Sequence, residues 1–211
     1  MIRRDLKDFI LTVSKDITLI AATKYIDIDD MEILLENGIN NFGENRVDSF
    51  LRKYELLKNR NITWHFIGHL QRNKANEVIN KIDFLHSLNS LELAKIIDKR
   101  RSTPLKCFVE VSVNLEDAKN GIPYFEIENF ISKILNLKNI KIVGLMMMAK
   151  KGSTSESLRN QFHKLSTLKK EIEAKFSMKI PYLSMGMSDD YKEALLEGAT
   201  HIRLGRVLLY K

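Results

Sequence analysis

The sequence predicts an α/β fold, namely a (β/α)8 TIM barrel formed as a single domain by residues 1–211. The first observation is that short apolar runs alternate with segments of helical periodicity along the whole chain. The second is that polar residues stand at many strand ends, while no dinucleotide-type glycine fingerprint follows the first strand. The third is the lack of a Pro/Gly/Ser-rich linker. Together they favour the barrel over its competitor, a doubly wound open sheet.

The first predicted strand begins at Thr18 and runs, uncharged and mostly apolar, up to Lys24. Such a run is typical of a parallel strand that is buried on both faces. Lys24 is therefore expected where the strand emerges at the barrel mouth, between low-dielectric walls that leave its amine available as a nucleophile of the Schiff-base type. The alternative is a lysine whose amine simply reaches water at a strand end.

The first half of the chain alternates regularly between helices and strands. Asp29 and Asp30 begin a helix that ends at Gly38, a residue suited to a helix C-terminus. Asn89 with Glu92 frames the start of a later helix. That later helix continues over 93–97, and the other predicted helices of this half cover about 3–14, 47–57 and 75–79. The predicted strands cover 39–43, 63–67, 84–87 and 107–111.

The second half of the chain continues the alternation. Pro123 suits the first turn of a helix that buries apolar residues up to Ile134. Ser188 is predicted to cap a later helix that has Asp189 and Asp190 in its first turn. The predicted segments also include a polar loop over 151–155, a long amphipathic helix over 158–172 and a short terminal helix over 207–210. The remaining predicted strands cover 140–146, 182–184 and 201–204.

Composition narrows the class of protein. Hydrophobic residues make up 44% and charged residues 29% of the 211 residues, which is typical of a globular protein. The single cysteine, Cys107, excludes an intramolecular disulfide, and the absence of a long apolar segment argues against export or membrane insertion, so we expect a cytoplasmic protein. The net charge of +7 comes from scattered lysines, and therefore suits an anionic ligand such as a phosphate ester better than nucleic acid.

Two neighbouring loops predict a site for an anion. Gly205 and Arg206 follow the last strand and precede the short terminal helix, where free amide groups, a positive helix end and a guanidinium can hold phosphate. The segment Ser184–Ser188, at the end of the preceding strand, adds hydroxyl groups. The alternatives are a turn with a surface arginine for the first loop and a capped turn for the second.

Three further side chains are candidates for ligand contacts. Arg203 ends the last strand, where its permanent charge would keep the pyridine nitrogen of a heteroaromatic ligand unprotonated; the alternative is a salt bridge at the rim. Asn45 follows the second strand and can donate to a ligand hydroxyl, unless it only forms a turn. His65 is predicted to be a hydrogen-bonded residue of the inner wall that stacks near the ligand. His65 and His69 are four apart on a strand and turn without a carboxylate, so zinc is not predicted.

Several of these stretches resemble, in order, the signatures of the pyridoxal phosphate homeostasis protein family. The match covers nearly the whole chain. The matching stretches are Ala21–Lys24, Phe42–Asn45, Trp64–Gly68 with Leu70–Gln71 and Asn73–Lys74, Gly144–Met146, Ser184–Asp190 and Arg203–Gly205. The resemblance implies the single-domain barrel of the alanine racemase N-terminal domain.

The resemblance also implies a cofactor and the residues that hold it. Lys24 would hold pyridoxal 5'-phosphate as an internal aldimine, Arg203 would face the pyridine nitrogen, and Ser184, Gly205 and the position of Arg206 would bind the phosphate. Arg206 departs from the family pattern, which usually has a small hydroxyl residue there. The predicted cofactor-binding set is therefore Lys24, Asn45, His65, Ser184, Arg203, Gly205 and Arg206, with no catalytic and no metal-binding residue.

The function implied by the resemblance is the balance of free pyridoxal phosphate and of amino and keto acid pools, without an established catalytic reaction. PLP-dependent apoenzymes would be partners of a monomeric carrier. Racemisation needs a second acid/base group, which a tyrosine from an additional domain supplies in racemases, and a 211-residue chain is expected to lack room for that domain. The alternatives are a PLP-dependent amino-acid racemase acting as a dimer, a Schiff-base lyase or aldolase, and a barrel that binds nucleic acid.

Overall fold

The computed structural model describes residues 1–114 and 121–209, and these ranges form a closed barrel of parallel strands surrounded by helices. The strands are β1 Thr18–Ala22, β2 Asn41–Glu44, β3 Thr63–Phe66, β4 Phe84–Leu88, β5 Leu105–Ser112, β6 Ile122–Pro123, β7 Ile140–Met146, β8 Tyr182–Met187 and β9 His201–Leu204. The hydrogen-bonded order is β4-β3-β2-β1-β9-β8-β7-β5, and pairing between β4 and β5 closes the ring. The two-residue strand β6 adds to β5 outside the ring. The predicted barrel of eight parallel strands is confirmed.

The helices follow the barrel strands along the chain, except for the first, which precedes β1. They are α1 Leu6–Leu11, α2 Ile28–Glu36, α3 Val47–Leu57, α4 Ala75–Val78, α5 Leu91–Arg100, α6 Ile127–Ile134, α7 Ser155–Phe176 and α8 Tyr191–Leu196. Within the described ranges, no helix is both long enough and apolar enough to cross a membrane. The predicted single domain also includes residues 115–120 and 210–211, which lie outside the described residues.

Local sequence signals explain where individual helices begin and end. The side chain of Asp27 accepts a hydrogen bond from the amide of Asp30 at 2.9 Å and so caps the start of α2. The chain leaves α2 through Gly38, whose φ of +84° is readily adopted only by a residue without a Cβ atom. The predicted end of this helix is therefore confirmed, since glycine permits the left-handed turn.

Apolar side chains from the outer face of the barrel and from the helices form the main core. Phe50 of α3 is fully buried there and packs edge to face against Trp64 of β3, with ring centroids 5.4 Å apart. The interior of the barrel holds a different group of side chains, which mixes aromatic rings with imidazoles: Phe84, Phe108, Tyr182, His65, His86 and His201. The barrel is therefore filled by rings, and its open space lies at one end.

Three predicted helix starts are wrong, for local reasons. Ser90, not Asn89, caps α5, because its hydroxyl accepts from the amide of Leu93 while Asn89 donates to Glu110. Pro123 lies in β6, and a 3₁₀ turn separates it from α6. The third is the start of α8, which has Asp190 rather than Ser188 at its N-cap position.

Two further boundaries differ from the prediction near the barrel mouth. β8 continues to Met187, three residues beyond its predicted end at Ser184. The predicted terminal helix is a 3₁₀ turn over Arg206–Leu208, and residue 210 lies outside the described residues. The extension of β8 matters for the site, because it moves Ser184 from the predicted end of the strand into the barrel wall.

Candidate functional site

The carboxyl ends of the barrel strands surround a cavity of about 850 Å³. This volume lies in the range of small-molecule sites in proteins. The cavity brings together five predicted site residues, namely Lys24, Asn45, Arg203, Gly205 and Arg206. Ser184 and His65 are fully buried below it and do not line it. Among the described residues, no group of three or more His, Cys, Asp and Glu side chains is placed to hold a metal ion.

Lys24 stands on the rim of the cavity rather than inside the barrel. β1 ends at Ala22, and a single 3₁₀ turn over Thr23–Tyr25 carries Lys24 to the surface. Its side chain is exposed, and its Nζ lies 4.8 Å from the ring centroid of Tyr25. The predicted position at the mouth is therefore found, whereas the predicted low-dielectric surroundings are wrong because the turn lifts the amine into solvent.

The loop after β9 presents backbone amides next to the cavity. The hydroxyl of Ser188 accepts from the amides of Gly205 at 3.2 Å and Val207 at 3.3 Å. A Cβ atom on Gly205 would lie 3.3 Å from the carbonyl oxygen of Ala22, so glycine keeps this approach open. Ser188 therefore supplies the hydroxyl group where the loops after β8 and β9 meet. The sequence predicts both a loop hydroxyl and a helix cap at Ser188, but the cofactor-binding set predicted from the sequence leaves this residue out.

Arg206 turns toward the neighbouring loop in this structure. Its guanidinium forms an ion pair with the carboxylate of Asp189, and both side chains are about two-thirds exposed. Arg206 nevertheless lines the cavity beside Gly205. An exposed ion pair of this kind is weak, so the guanidinium is free to exchange Asp189 for another anion at low energetic cost.

Arg203 is held rigidly at the floor of the cavity. Its side chain is almost completely buried, donates from Nη1 to the hydroxyl of Ser184 at 2.5 Å and donates from Nη2 to the carbonyl of Met147 at 2.9 Å. Burial lowers the pKa of Arg203 to about 10, against the opposing effect of the carboxylates of Asp190 and Glu110. Arg203 therefore stays positively charged at neutral pH.

A chain of hydrogen bonds continues from Arg203 down the barrel interior. The hydroxyl of Ser184 lies 2.8 Å from His86 Nδ1, His86 Nε2 lies 2.9 Å from His65 Nδ1, and His65 Nε2 lies 3.0 Å from Asn41 Oδ1. Burial holds the pKa of both imidazoles well below its usual value, so both rings are neutral.

The direction of each hydrogen bond in this chain follows from its lower end. The amide nitrogen of Asn41 donates to Asn40, which assigns Oδ1 of Asn41 as the acceptor for His65. Neutral His65 then accepts from His86, and neutral His86 accepts from Ser184, which itself accepts from Arg203. His65 is thus a hydrogen-bonded inner-wall residue, stacked on Phe84 at 4.7 Å, and it reaches the cavity only through His86 and Ser184.

Two carboxyl groups that the sequence analysis did not select also face the cavity. Burial raises the pKa of Glu110, whose Oε2 accepts from Asn89 at 2.9 Å. Burial likewise raises the pKa of Asp190, whose Oδ1 accepts from the amide of Met187 at 2.5 Å. The mouth therefore combines positive groups on β9 and its loop with two acids whose pKa values are raised by burial. The sequence spacing of Glu110 and Asp190 from the predicted site residues does not identify either acid as part of the cavity.

These features define a class of protein, namely single (β/α)8 barrels with a lysine after the first strand. In this class the loops after the last two strands form a site lined by arginines and backbone amides. The sequence profile described as "Alanine racemase, N-terminal domain" matches residues 21–210. The chain belongs to the pyridoxal phosphate homeostasis protein family within this class, which confirms the resemblance noted from the sequence. A family member from Aquifex aeolicus is 36% identical over 90% of this chain and 85% of its own length. A member from a Synechocystis species is 36% identical over 95% and 94% of the two chains.

Solved structures place the fold in the same class. PipY from Synechococcus elongatus, in a structure described as having PLP bound, superposes with a TM-score of 0.91 at 28% identity and covers 97% of this chain and 100% of its own. An alanine racemase from Clostridium difficile superposes with a TM-score of 0.78 at 13% identity over 98% of this chain and 57% of its own, which supports the fold alone.

Proposed function

We propose that this protein binds pyridoxal 5'-phosphate at the barrel mouth, with Lys24 as the point of covalent attachment, and that it serves in the homeostasis of this cofactor. One observation carries the proposal. A single cavity brings an exposed primary amine together with the loops after β8 and β9 and with two arginines, Arg203 of β9 and Arg206 of the loop that follows it. The PLP-bound structure of PipY and the names of the relatives support the same ligand and role.

The residues of the cavity fit this ligand. Oδ1 of Asn45 is buried at the edge of the cavity and has no hydrogen-bond partner within the described residues, which leaves it for a ligand group. Gly68 allows the close packing there, because a Cβ atom would lie 2.3 Å from the carbonyl oxygen of Asn45. When bound, pyridoxal phosphate supplies an aldehyde that forms a reversible covalent bond with a primary amine.

Each side of the cavity has its own part in binding. Lys24 supplies the amine, and its exposure leaves it accessible from solvent. The amides of Gly205 and Val207 donate to the Ser188 hydroxyl in this structure, and an anionic group would replace that hydroxyl as their acceptor. Arg206 adds positive charge beside them. Ser184 and His65 act from below, because they hold Arg203 in place through hydrogen bonds rather than touching the ligand.

We further propose that the role is to hold and release the cofactor. Reversible attachment at a rim lysine suits transfer to PLP-dependent apoenzymes, which we propose as partners of a monomeric, cytoplasmic carrier. Holding the reactive aldehyde in this way would keep its free concentration low. Lys24, Asn45, Arg203, Gly205 and Arg206 remain predicted to contact the cofactor, and Ser188 joins them in this proposal because it lines the same cavity. Ser184 and His65 are proposed to act only through Arg203.

The proposal is tested by titrating the purified protein with pyridoxal phosphate and with pyridoxal, which lacks the phosphate, while recording the visible absorbance. We expect a yellow complex with both aldehydes and a much higher affinity for the phosphorylated one. The loaded protein should then restore activity to an apo-aminotransferase, and it should not racemise alanine. Equal affinity for the two aldehydes would contradict the anion site, and alanine turnover would favour the racemase alternative.

A further inference from the structure

A buried ion pair lies directly behind the turn that carries Lys24. Lys53 projects from α3 and Glu44 ends β2, and their side chains are 2% and 0% exposed. The Nζ of Lys53 lies 2.5 Å from Oε1 of Glu44. Lysine and glutamate are almost never buried so completely unless they are paired. Neither residue lines the cavity, so neither is available to touch a ligand there.

Both members of the pair are hydrogen-bonded to Thr23, the residue before Lys24. Lys53 Nζ donates to the Thr23 carbonyl oxygen at 2.5 Å, and the Thr23 hydroxyl donates to Glu44 Oε1 at 2.5 Å. The same carbonyl accepts from the amide of Ile26 at 3.1 Å, which is the hydrogen bond that closes the 3₁₀ turn. The ammonium therefore binds the carbonyl around which the turn of Lys24 is built.

Stability alone does not account for this arrangement. Removing an ammonium and a carboxylate from water costs several kcal/mol for each ion, and apolar replacement of buried ion pairs is often neutral or stabilising. In this pair Oε2 of Glu44 is buried without a hydrogen-bond partner among the described residues, which adds to the cost. What the pair does supply is directional contact from two different elements to one residue, since Lys53 of α3 binds the backbone carbonyl of Thr23 and Glu44 of β2 binds its hydroxyl.

We propose that the Lys53–Glu44 pair is a positioning device for Lys24. The inference rests on the proposed function, because it assigns the pair a role in the reaction of Lys24 with an aldehyde. Lys24 is exposed, so the direction in which its amine enters the cavity depends on the backbone of a single turn. The pair fixes that backbone at Thr23. Small displacements of a reacting group cost large factors in rate, because attack requires a defined distance and angle.

The test separates covalent capture from binding of the rest of the ligand. Capture is the rate at which pyridoxal phosphate becomes trapped on the protein by borohydride. Binding is the Kd for pyridoxine 5'-phosphate, which has an alcohol in place of the aldehyde, measured by calorimetry. A general loss of structure would affect both quantities, whereas misplacement of Lys24 affects only the first.

The main variant is the double substitution Lys53→Met with Glu44→Leu, which removes both charges together and leaves neither one buried alone. We expect capture to slow by about tenfold or more, with the Kd for pyridoxine 5'-phosphate unchanged within about twofold of wild type. The milder variant Thr23→Val keeps the backbone carbonyl and the ion pair but loses the hydroxyl, and a smaller decrease in the same direction is expected. The matched control, Lys58→Met, removes an exposed lysine paired with Glu55 at the end of the same helix and should match wild type.

The outcomes are distinguishable. Capture at the wild-type rate in the double variant would overturn the inference, and so would a parallel loss of pyridoxine 5'-phosphate binding. If circular dichroism shows that the double variant does not fold, Thr23→Val decides the question by the same two measurements. If wild type itself captures no aldehyde, the proposed function is refuted and this inference with it.

Discussion

Acidification below about pH 6.5 is expected to destabilise the protein, because three histidines in the barrel interior are buried in their neutral form. Burial lowers the pKa of His201 to about 4 and holds the pKa values of His65 and His86 well below the usual value of 6.5. Below pH 6.5 the unfolded chain binds protons that the folded barrel does not accept. The stabilisation that comes from keeping these histidines neutral is therefore complete above the histidine pKa of the unfolded chain. It is lost as the pH falls from that value toward the lower histidine pKa values of the folded barrel.

The size of the effect follows from proton linkage. Each histidine that is protonated only in the unfolded state lowers the free energy of unfolding by about 1.4 kcal/mol per pH unit. For His201, the fall from 6.5 to about 4 corresponds to about 3 kcal/mol in total. Three histidines set an upper slope of about 4 kcal/mol per pH unit. Glu110 and Asp190 act in the opposite sense, because burial raises their pKa values and the folded state then takes up protons more readily.

The assay is urea denaturation followed by far-UV circular dichroism at about pH 7.5, 6 and 5, which gives the free energy of unfolding at each pH. The variant His201→Gln should reduce the pH slope by about 1.4 kcal/mol per unit. The control Phe50→Leu removes a buried ring that packs on Trp64 in the main core, away from the histidines of the barrel interior, so it should lower stability equally at every pH. A free energy of unfolding that is the same at the highest and lowest pH would refute the reasoning, as would an unchanged slope in His201→Gln.

Three further predictions concern the cavity. Lys24→Ala removes an exposed side chain, so the free energy of unfolding should change by less than about 0.5 kcal/mol in urea denaturation while the visible band with pyridoxal phosphate disappears; a retained band would contradict the role of Lys24. Gly68→Ala places a Cβ atom 2.3 Å from a backbone oxygen and should lower the free energy of unfolding by about 1–3 kcal/mol. Gly205→Ala should lower it less, because the nearest atom to its new Cβ would be 3.3 Å away. A larger loss for Gly205→Ala than for Gly68→Ala would be inconsistent with the packing. Arg206→Ala should weaken pyridoxal phosphate binding but not pyridoxal binding in absorbance titrations, and equal losses would exclude a phosphate contact.

The sequence predicts the barrel well because its strands are buried on both faces and therefore read as apolar runs. β7 and β9 begin and end at the predicted residues, 140–146 and 201–204. The end of β8 was missed because Met185-Gly186-Met187 continues the strand without a marked change in polarity. Because the prediction ends this strand three residues early, it puts Ser184 at the barrel mouth beside Ser188, whereas Ser184 lies in the buried wall.

The candidate site shows where reasoning from sequence ends. The position of Lys24 follows from a strand that ends in a charge, but its exposure depends on a turn that the residue types do not specify. Contacts between distant residues are also invisible in sequence spacing, as with Ser184 and His86, which are 98 residues apart. The Lys53–Glu44 pair is a similar case, since Lys53 stands in a helix whose pattern gives no sign of a buried charge.

The central claim is that the amine of Lys24 captures an aldehyde whose phosphate is held by the loop after β9. The most direct measurement is mass mapping of tryptic peptides after the protein has been saturated with pyridoxal phosphate and reduced with borohydride. The account predicts a single dominant adduct, located on residue 24. An unlabelled protein, or a label spread over surface lysines with residue 24 unmodified, would contradict it.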